Sequence, residues 1–218
     1  MSRLAGLFAR FRKAGPATDA AEPRAEAAVR WIVLGLGNPG EKYRRSRHNV
    51  GFMVVERMAR LRGVEPRQRR FKALVCEPEV DGQRTLLALP QTYYNLSGES
   101  AAGLRSYLKL PIERLVVVHD DLDLESGRLQ IKLGGGDAGN NGVRSIAESL
   151  GTTEFLRVRI GIGRPAPGED SKDYVLKPMV GREMASLEPL LDRAAEAVAA
   201  IITEGLSRAM SRYNQKPG

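Results

Sequence analysis

The sequence predicts an α/β fold: one domain built on a mixed, mostly parallel, twisted sheet with helices covering both faces. Three observations predict it. Short continuous apolar runs, such as Trp31-Ile32-Val33-Leu34-Gly35 and Leu115-Val116-Val117-Val118, have the composition of strands buried on both faces. Those runs alternate with segments of helical spacing, as in βαβ units. The chain has 218 residues and one cysteine, Cys76, so it suits a single globular domain that closes its core without disulfides or a multi-cysteine zinc site.

Residues 1–30 read as a separable extension. Met1 to Lys13 is a short basic amphipathic stretch, and Gly15 to Ala28 is rich in Ala, Pro and acid, as a linker is. It has no continuous apolar core of a secretory signal. The first 18 residues contain arginines and no acid, which leaves a mitochondrial or plastid transit peptide as the alternative to a plain extension. Residues 31–213 form the expected α/β domain and 214–218 a tail.

Trp31 to Gly35 is the first strand. Gly51 to Leu61 carries Phe52, Val55, Met58 and Ala59 at helical spacing. Lys72 to Glu77 and Arg84 to Leu89 read as a hairpin across Asp81-Gly82. Ser97 to Leu108 is helical, with Ser97 as its N-cap. Leu115 to Asp120 is a buried strand that ends in acid. Arg128 to Leu133 is a strand, and Asn141 to Leu150 is a helix after a glycine-rich loop. Phe155 to Ile162 alternates like a strand, and Met184 to Ile202 is a long amphipathic helix. No run approaches the ~18 apolar residues of a membrane span, so the sequence reads as soluble.

The net charge of +8 is local. Residues 41–72 hold eleven basic and three acidic groups, whereas the chain after residue 72 holds 17 basic and 20 acidic. The excess surrounds Glu41 to Asn49 and the later Arg67, Arg69, Arg70 and Lys72. It is either a solvated basic face or the footprint of a polyanion.

Three motifs mislead. Gly35-Leu36-Gly37-Asn38-Pro39-Gly40 is a literal G-x-G-x-x-G after a strand, yet no helix starts inside it and no acid follows at the ribose position. A nicotinamide-binding oxidoreductase therefore rests on this motif alone. The glycines are read instead as a tight, exposed turn. Gly134 to Gly142 lacks the Gly-Lys-Ser/Thr ending of a P-loop and reads as a loop that approaches a ligand or as a simple turn. Asp120 to Glu125 lacks the spacing of an EF-hand, and neither histidine forms a ligand-spaced pair, so no metal is expected. Most of these acids are expected on a solvated loop.

No Gly-x-Ser-x-Gly elbow is present, and Cys76 reads as a core thiol in mid-strand. A hydrolase built from this chain has to activate water directly. His48, in a polar loop outside any apolar face, is the natural base. Asp120 ends a buried strand, where α/β sheets place their sites, and alternation turns His119 to the opposite side. That favours Asp120 as the orienter of His48. Asn38, Asn95 and Asn141 fall at loop tips, where amides can hold a carbonyl or an oxyanion without titrating.

These residues resemble a known family. Gly35 to Gly40, Tyr43 and Arg47-His48-Asn49-Val50-Gly51 are similar to the opening signature of bacterial-type peptidyl-tRNA hydrolase. Thr92-Tyr93-Tyr94-Asn95-Leu96-Ser97-Gly98, His119 to Asp123, Gly134-Gly135-Gly136 with Asn141-Gly142, Arg159 to Pro165 and Tyr174-Val175-Leu176 continue the likeness in order, from residue 31 to about 213. The resemblance implies a monomeric cytoplasmic enzyme that cleaves the ester between a peptide and the 3′ ribose of tRNA, with no cofactor. It implies His48 as general base, Asp120 as its orienter, and Asn38 and Asn95 on the peptide and ester carbonyl. Asn141 is implied near the attacking water or substrate, and Tyr43 and Tyr93 along the cleft near the terminal adenosine of the CCA end. Lys132, Arg159 and Lys172 match positions that contact phosphates of the acceptor arm.

The chain departs from the family pattern at four places. Asn140 stands where histidine is common, Asp137 adds a negative charge to the same motif, Tyr94 replaces a methionine and Leu89 a lysine. Binding without hydrolysis, as in organellar splicing relatives, is the alternative these changes leave open.

Overall fold

The computed structural model of the chain describes residues 29–215. The expected extension, apart from its last two residues, and the last three residues of the tail lie outside them. The elements run β1 (Trp31–Gly35), α1 (Val50–Arg60), β2 (Gln68–Arg70), β3 (Ala73–Cys76), β4 (Glu79–Val80), β5 (Gln83–Pro90), α2 (Ser97–Leu108), β6 (Leu115–Asp121), β7 (Leu129–Leu133), α3 (Asn141–Leu150), β8 (Leu156–Gly161), α4 (Ser171–Leu176), α5 (Arg182–Glu204) and α6 (Leu206–Tyr213).

One sheet has the order β2-β3-β5-β1-β6-β8-β7, with β4 paired to β5 outside that path. The central strands β5, β1, β6 and β8 are mutually parallel, and antiparallel strands are added at the flanks. This is the predicted mixed α/β sheet. Every residue of β1 and of β6 is buried, as a strand covered on both faces requires. Helices α1, α5 and α6 seal one face, through Val55, Met58, Leu191, Val198 and Ala209. Helices α2 and α3 seal the other, through Ala101, Leu104, Val143 and Ile146 around Leu34, Leu86 and Val117. Among the described residues no helix is long and apolar enough to cross a membrane.

The predicted Asp81-Gly82 turn joins β4 to β5, with φ of 47° and 79°, the left-handed pair that a two-residue hairpin turn needs. Several expectations fail locally. Ser97 is not an N-cap: it is the first residue of α2, follows a 3-10 turn over Tyr94–Leu96, and donates its hydroxyl to the Tyr94 carbonyl at 2.8 Å. Cys76 ends β3 rather than sitting inside it, and is half-buried. Strand β6 runs on through Asp121, which is buried, so the acid run starts inside the sheet and not on a solvated loop.

The glycine-rich turn after β1 is not exposed either. Residues Gly35 to Asn38 are buried. A Cβ on Gly35 would lie 2.3 Å from the Gly51 carbonyl, and one on Gly51 would lie 2.3 Å from the Val118 carbonyl. The two glycines let the start of α1 press against the ends of β1 and β6. Only Gly40, at φ 108°, is exposed and needs its backbone freedom.

Candidate active site

The chain leaves the central strand β1 for β5 on one side and returns as β6 on the other, so loops diverge at their carboxyl ends and open a crevice. Each loop carries an expected site residue. Asn38 follows β1. His48 sits in a 3-10 turn, Arg47–Asn49, that runs straight into α1. Tyr93 and Asn95 follow β5, Asp120 is the penultimate residue of β6, and Asn141 opens α3.

The His48 Nδ1 lies 3.0 and 2.9 Å from the two carboxylate oxygens of Asp120, 72 residues later in sequence. The His48 side chain is 16% exposed and that of Asp120 is 3%. Burial drives the Asp120 carboxyl up, but His48 and Tyr94 beside it outweigh that and hold it below the usual carboxylate range. An ionised carboxylate can only accept, so the proton between the pair sits on Nδ1, which in the neutral ring leaves the lone pair on Nε2. His119 faces elsewhere, as alternation predicted. Its Nδ1 donates to the Asp120 carbonyl at 2.7 Å, and its Nε2 is buried without a partner. Burial holds the His119 imidazole below its ordinary pKa.

Asn38 is clamped by a residue that sequence reasoning quoted but gave no role. The Asn49 side chain accepts from the Asn38 N–H and donates to the Asn38 carbonyl, both at 2.9 Å. The Asn38 Oδ1 accepts the Tyr94 backbone N–H at 2.9 Å. That fixes the amide with its Nδ2 donor remaining for a ligand.

Asn38, Tyr43, His48, Tyr93, Asn95, Asp120, Asn141 and Lys172 all line one cavity of about 910 Å³. Tyr93 is 67% exposed at its rim. Lys132 and Arg159 are not part of that lining. Lys132 lies against the glycine-rich loop, where a Cβ on Gly135 would meet its Nζ at 2.6 Å. Arg159 donates to Asp121 at 2.7 Å and to Gln130, so its charge is already paired. The glycine-rich loop is held by Arg157, which donates to the Gly135 and Gly136 carbonyls, and by the Asp137–Arg144 pair. A second cavity of about 590 Å³ shares no residue with the first. Its arginines face Glu65 and Glu77, and its Cys76 thiol is pushed by burial up to about 11, which leaves no thiolate at neutral pH.

The arrangement can activate water: a base oriented by a carboxylate, facing a polar cavity edged by amide donors. Among the described residues no group of His, Cys, Asp and Glu is placed to hold a metal ion.

Residues 32–218 match the family described as Peptidyl-tRNA hydrolase. The chain belongs to the peptidyl-tRNA hydrolase family. A Peptidyl-tRNA hydrolase of Carboxydothermus hydrogenoformans is 50% identical over 185 residues, covering 85% of this chain and 98% of that one. One from Geotalea daltonii is also 50% identical over 185 residues, covering 85% and 96%. The crystal structure of peptidyl-tRNA hydrolase from Acinetobacter baumannii superposes with a TM-score of 0.80 at 32% identity, over 86% of this chain and 95% of that one. A peptidyl-tRNA hydrolase crystallised with N-propanol gives 0.81 at 32% identity, over 87% and 97%.

Two of this chain's departures from the family pattern fall inside the cavity and touch. Tyr94 donates its hydroxyl to Asp120 Oδ1 at 2.7 Å, and Asn140 Nδ2 donates to the Tyr94 hydroxyl at 2.9 Å. Neither was assigned a role from sequence. Tyr94 gives no signal there beyond being a second tyrosine, and Asn140 reads as a loop residue until its contacts are known.

Proposed function

We propose that this chain hydrolyses the ester that joins a peptide to the 3′ oxygen of the terminal ribose in peptidyl-tRNA. The observation that carries the reading is the His48–Asp120 pair facing a cavity edged by Asn38, Asn95 and Asn141. His48 Nε2 takes a proton from water, and the resulting hydroxide attacks the ester carbonyl. Asp120 holds the imidazole and offsets the charge it gains. The Asn38 Nδ2, with Asn95, donates to the carbonyl oxygen as it becomes an oxyanion. Collapse of the tetrahedral intermediate breaks the bond to the 3′ oxygen, and the proton on His48 passes to that oxygen. The products are a free peptide carboxylate and tRNA with its 3′ hydroxyl restored.

Asn141 and the rings of Tyr43 and Tyr93 bind the peptide side and the terminal adenosine, the exposed Tyr93 offering a stacking face. Lys172 at the cavity and Lys132 beside the glycine-rich loop contact acceptor-arm phosphates, whereas the Arg159 charge is committed to Asp121. On this reading the protein acts as a monomer in the cytoplasm and its chemistry needs only these side chains.

Purified protein incubated with N-acyl-aminoacyl-tRNA is expected to release tRNA, and His48→Ala to slow release by roughly 10²- to 10⁴-fold. Release at the unaltered rate in that variant overturns the assignment of the base. RNA binding with no cleavage by the unaltered protein identifies a binding relative instead.

A further inference from the structure

We propose that Tyr94, held by Asn140, is the positioning residue that sets the geometry of His48, Asp120 and Asn38 together. This inference rests on the hydrolytic reading of the site and goes beyond it, because it assigns a role to two of the four residues expected to depart from the family pattern.

Tyr94 meets all three through different atoms. Its ring stacks on the His48 imidazole, with centroids 3.4 Å apart and planes 12° from parallel. Its hydroxyl donates to Asp120 Oδ1 at 2.7 Å, and its backbone N–H donates to Asn38 Oδ1 at 2.9 Å. The residue is 4% exposed and sits in the 3-10 turn that leads into α2. A side chain so enclosed cannot turn away, so the imidazole plane, the carboxylate and the amide are fixed relative to one another.

Asn140 decides which way the phenol proton points. Its Nδ2 donates to the Tyr94 oxygen at 2.9 Å and to the Asp120 carbonyl at 3.1 Å. An oxygen that receives a proton from Asn140 has no reason to send its own there, so the phenol proton goes to Asp120. Asn140 cannot flip, because its Oδ1 caps α3 by accepting the N–H groups of Gly142 and Val143 at 3.1 and 3.0 Å. Burial and the neighbouring Asp120 hold the Tyr94 phenol well above its ordinary pKa, so it remains a donor. The capping amide of Asn140 and the Tyr94 phenol therefore form one chain of donors that ends on the accepting Asp120 Oδ1.

A donor on Asp120 draws negative charge away from the His48 imidazolium that forms during the reaction. The titratable groups facing His48 are Asp120 from β6 and the neutral Tyr94 phenol from its turn, and Asp121, Asp170 and Lys172 share its cavity. Tyr94→Phe changes none of these charges and keeps the ring and the backbone N–H. Asn140→Ser keeps a helix-capping oxygen and loses the amide donor.

The chain holds two histidines, so ring-nitrogen NMR follows His48 and His119 separately through pH. Tyr94→Phe is expected to raise the His48 midpoint by about 0.3 unit or more and to lower kcat roughly tenfold, with KM within about twofold. Asn140→Ser moves both quantities in the same direction by less, and the double variant loses less kcat than the product of the two single losses. A His48 midpoint unchanged in both single variants, or a double variant that shows the full product, overturns the proposal. Should Tyr94→Phe fail to fold, as judged by its melting transition, Asn140→Ser carries the same test. An unaltered protein that leaves the ester intact defeats the hydrolase reading alone, since the His48 titration still decides this one.

Discussion

At the scale of single residues, the site is a set of short-range constraints on protons. Asp120 stays ionised because His48 and Tyr94 outweigh the cost of its burial, and His119 stays neutral because nothing outweighs the cost of its own. Both shifts make the fold acid-sensitive, through different windows. A histidine whose folded pKa is lowered binds fewer protons than the unfolded chain below about pH 6.5, so its contribution is complete above that value and is lost as pH falls. An aspartate with a lowered folded pKa contributes fully above about pH 3.9, and the contribution is lost as pH falls through its folded value. His119 is therefore expected to show no ring-nitrogen titration near pH 6.5, and His119→Gln to flatten the decline of the melting temperature between about pH 6.5 and 5. A His119 that titrates at its ordinary value refutes this. The sequence made His48, Asp120 and the three asparagines visible as residue types at strand ends and loop tips. It could not make Tyr94 or Asn49 visible, because their roles consist of contacts with residues 26 and 11 positions away.

At the scale of elements, the site depends on how closely helices approach strand ends. The Gly35–Gly51 contact brings α1 down onto β1, which seats the turn carrying His48 over Asp120. The G-x-G spacing was legible, but its purpose was not: a close backbone approach and an exposed turn both ask for glycine. The edge of the sheet is managed by a side chain. Among the described residues strand β7 pairs only with β8, and the Asn214 amide pairs with both the N–H and the carbonyl of Ile131, at 2.6 and 3.0 Å, on its other side. The folded body thus reaches at least Asn214. Asn214→Ala is expected to destabilise the protein by about 1–3 kcal/mol in denaturant unfolding, with ester cleavage at the growth temperature unaffected. An unchanged midpoint would show that the clip contributes nothing. Short elements such as β2 and α4 escaped the sequence reading because three to six residues carry too little periodicity to register.

At the scale of the whole molecule, the basic excess of residues 41–72 is redistributed by folding. Arg57 pairs with Glu188 and Asp192, Arg47 with Glu183, Arg70 with Glu77 and Lys72 with Glu99, all acids from the net-negative remainder of the chain. Among the described residues Lys42, Arg45, Arg60, Arg62 and Arg69 are left without an ion pair. The field available to a polyanion is thus smaller than the sequence count and differently placed. Binding of tRNA is expected to weaken with salt at a log–log slope of about −0.7 to −0.9 per phosphate neutralised. Lys132→Ala and Lys172→Ala should each reduce that slope by nearly one charge and raise KM more than they lower kcat. Losses in kcat equal to the changes in KM would argue against phosphate contact. By itself the sequence determined the α/β class, the buried central strands, the ordered motifs and the residues proposed here as base and carboxylate. These depend on local composition and on residue chemistry that does not change with context. Only the tertiary structure decided that Tyr94 and Asn140 join the site, that Asn49 clamps Asn38, that the first glycines serve packing, and which cations stay unpaired. Each of these is a contact between segments distant in the chain, set by how the sheet and helices pack, which no window of sequence contains.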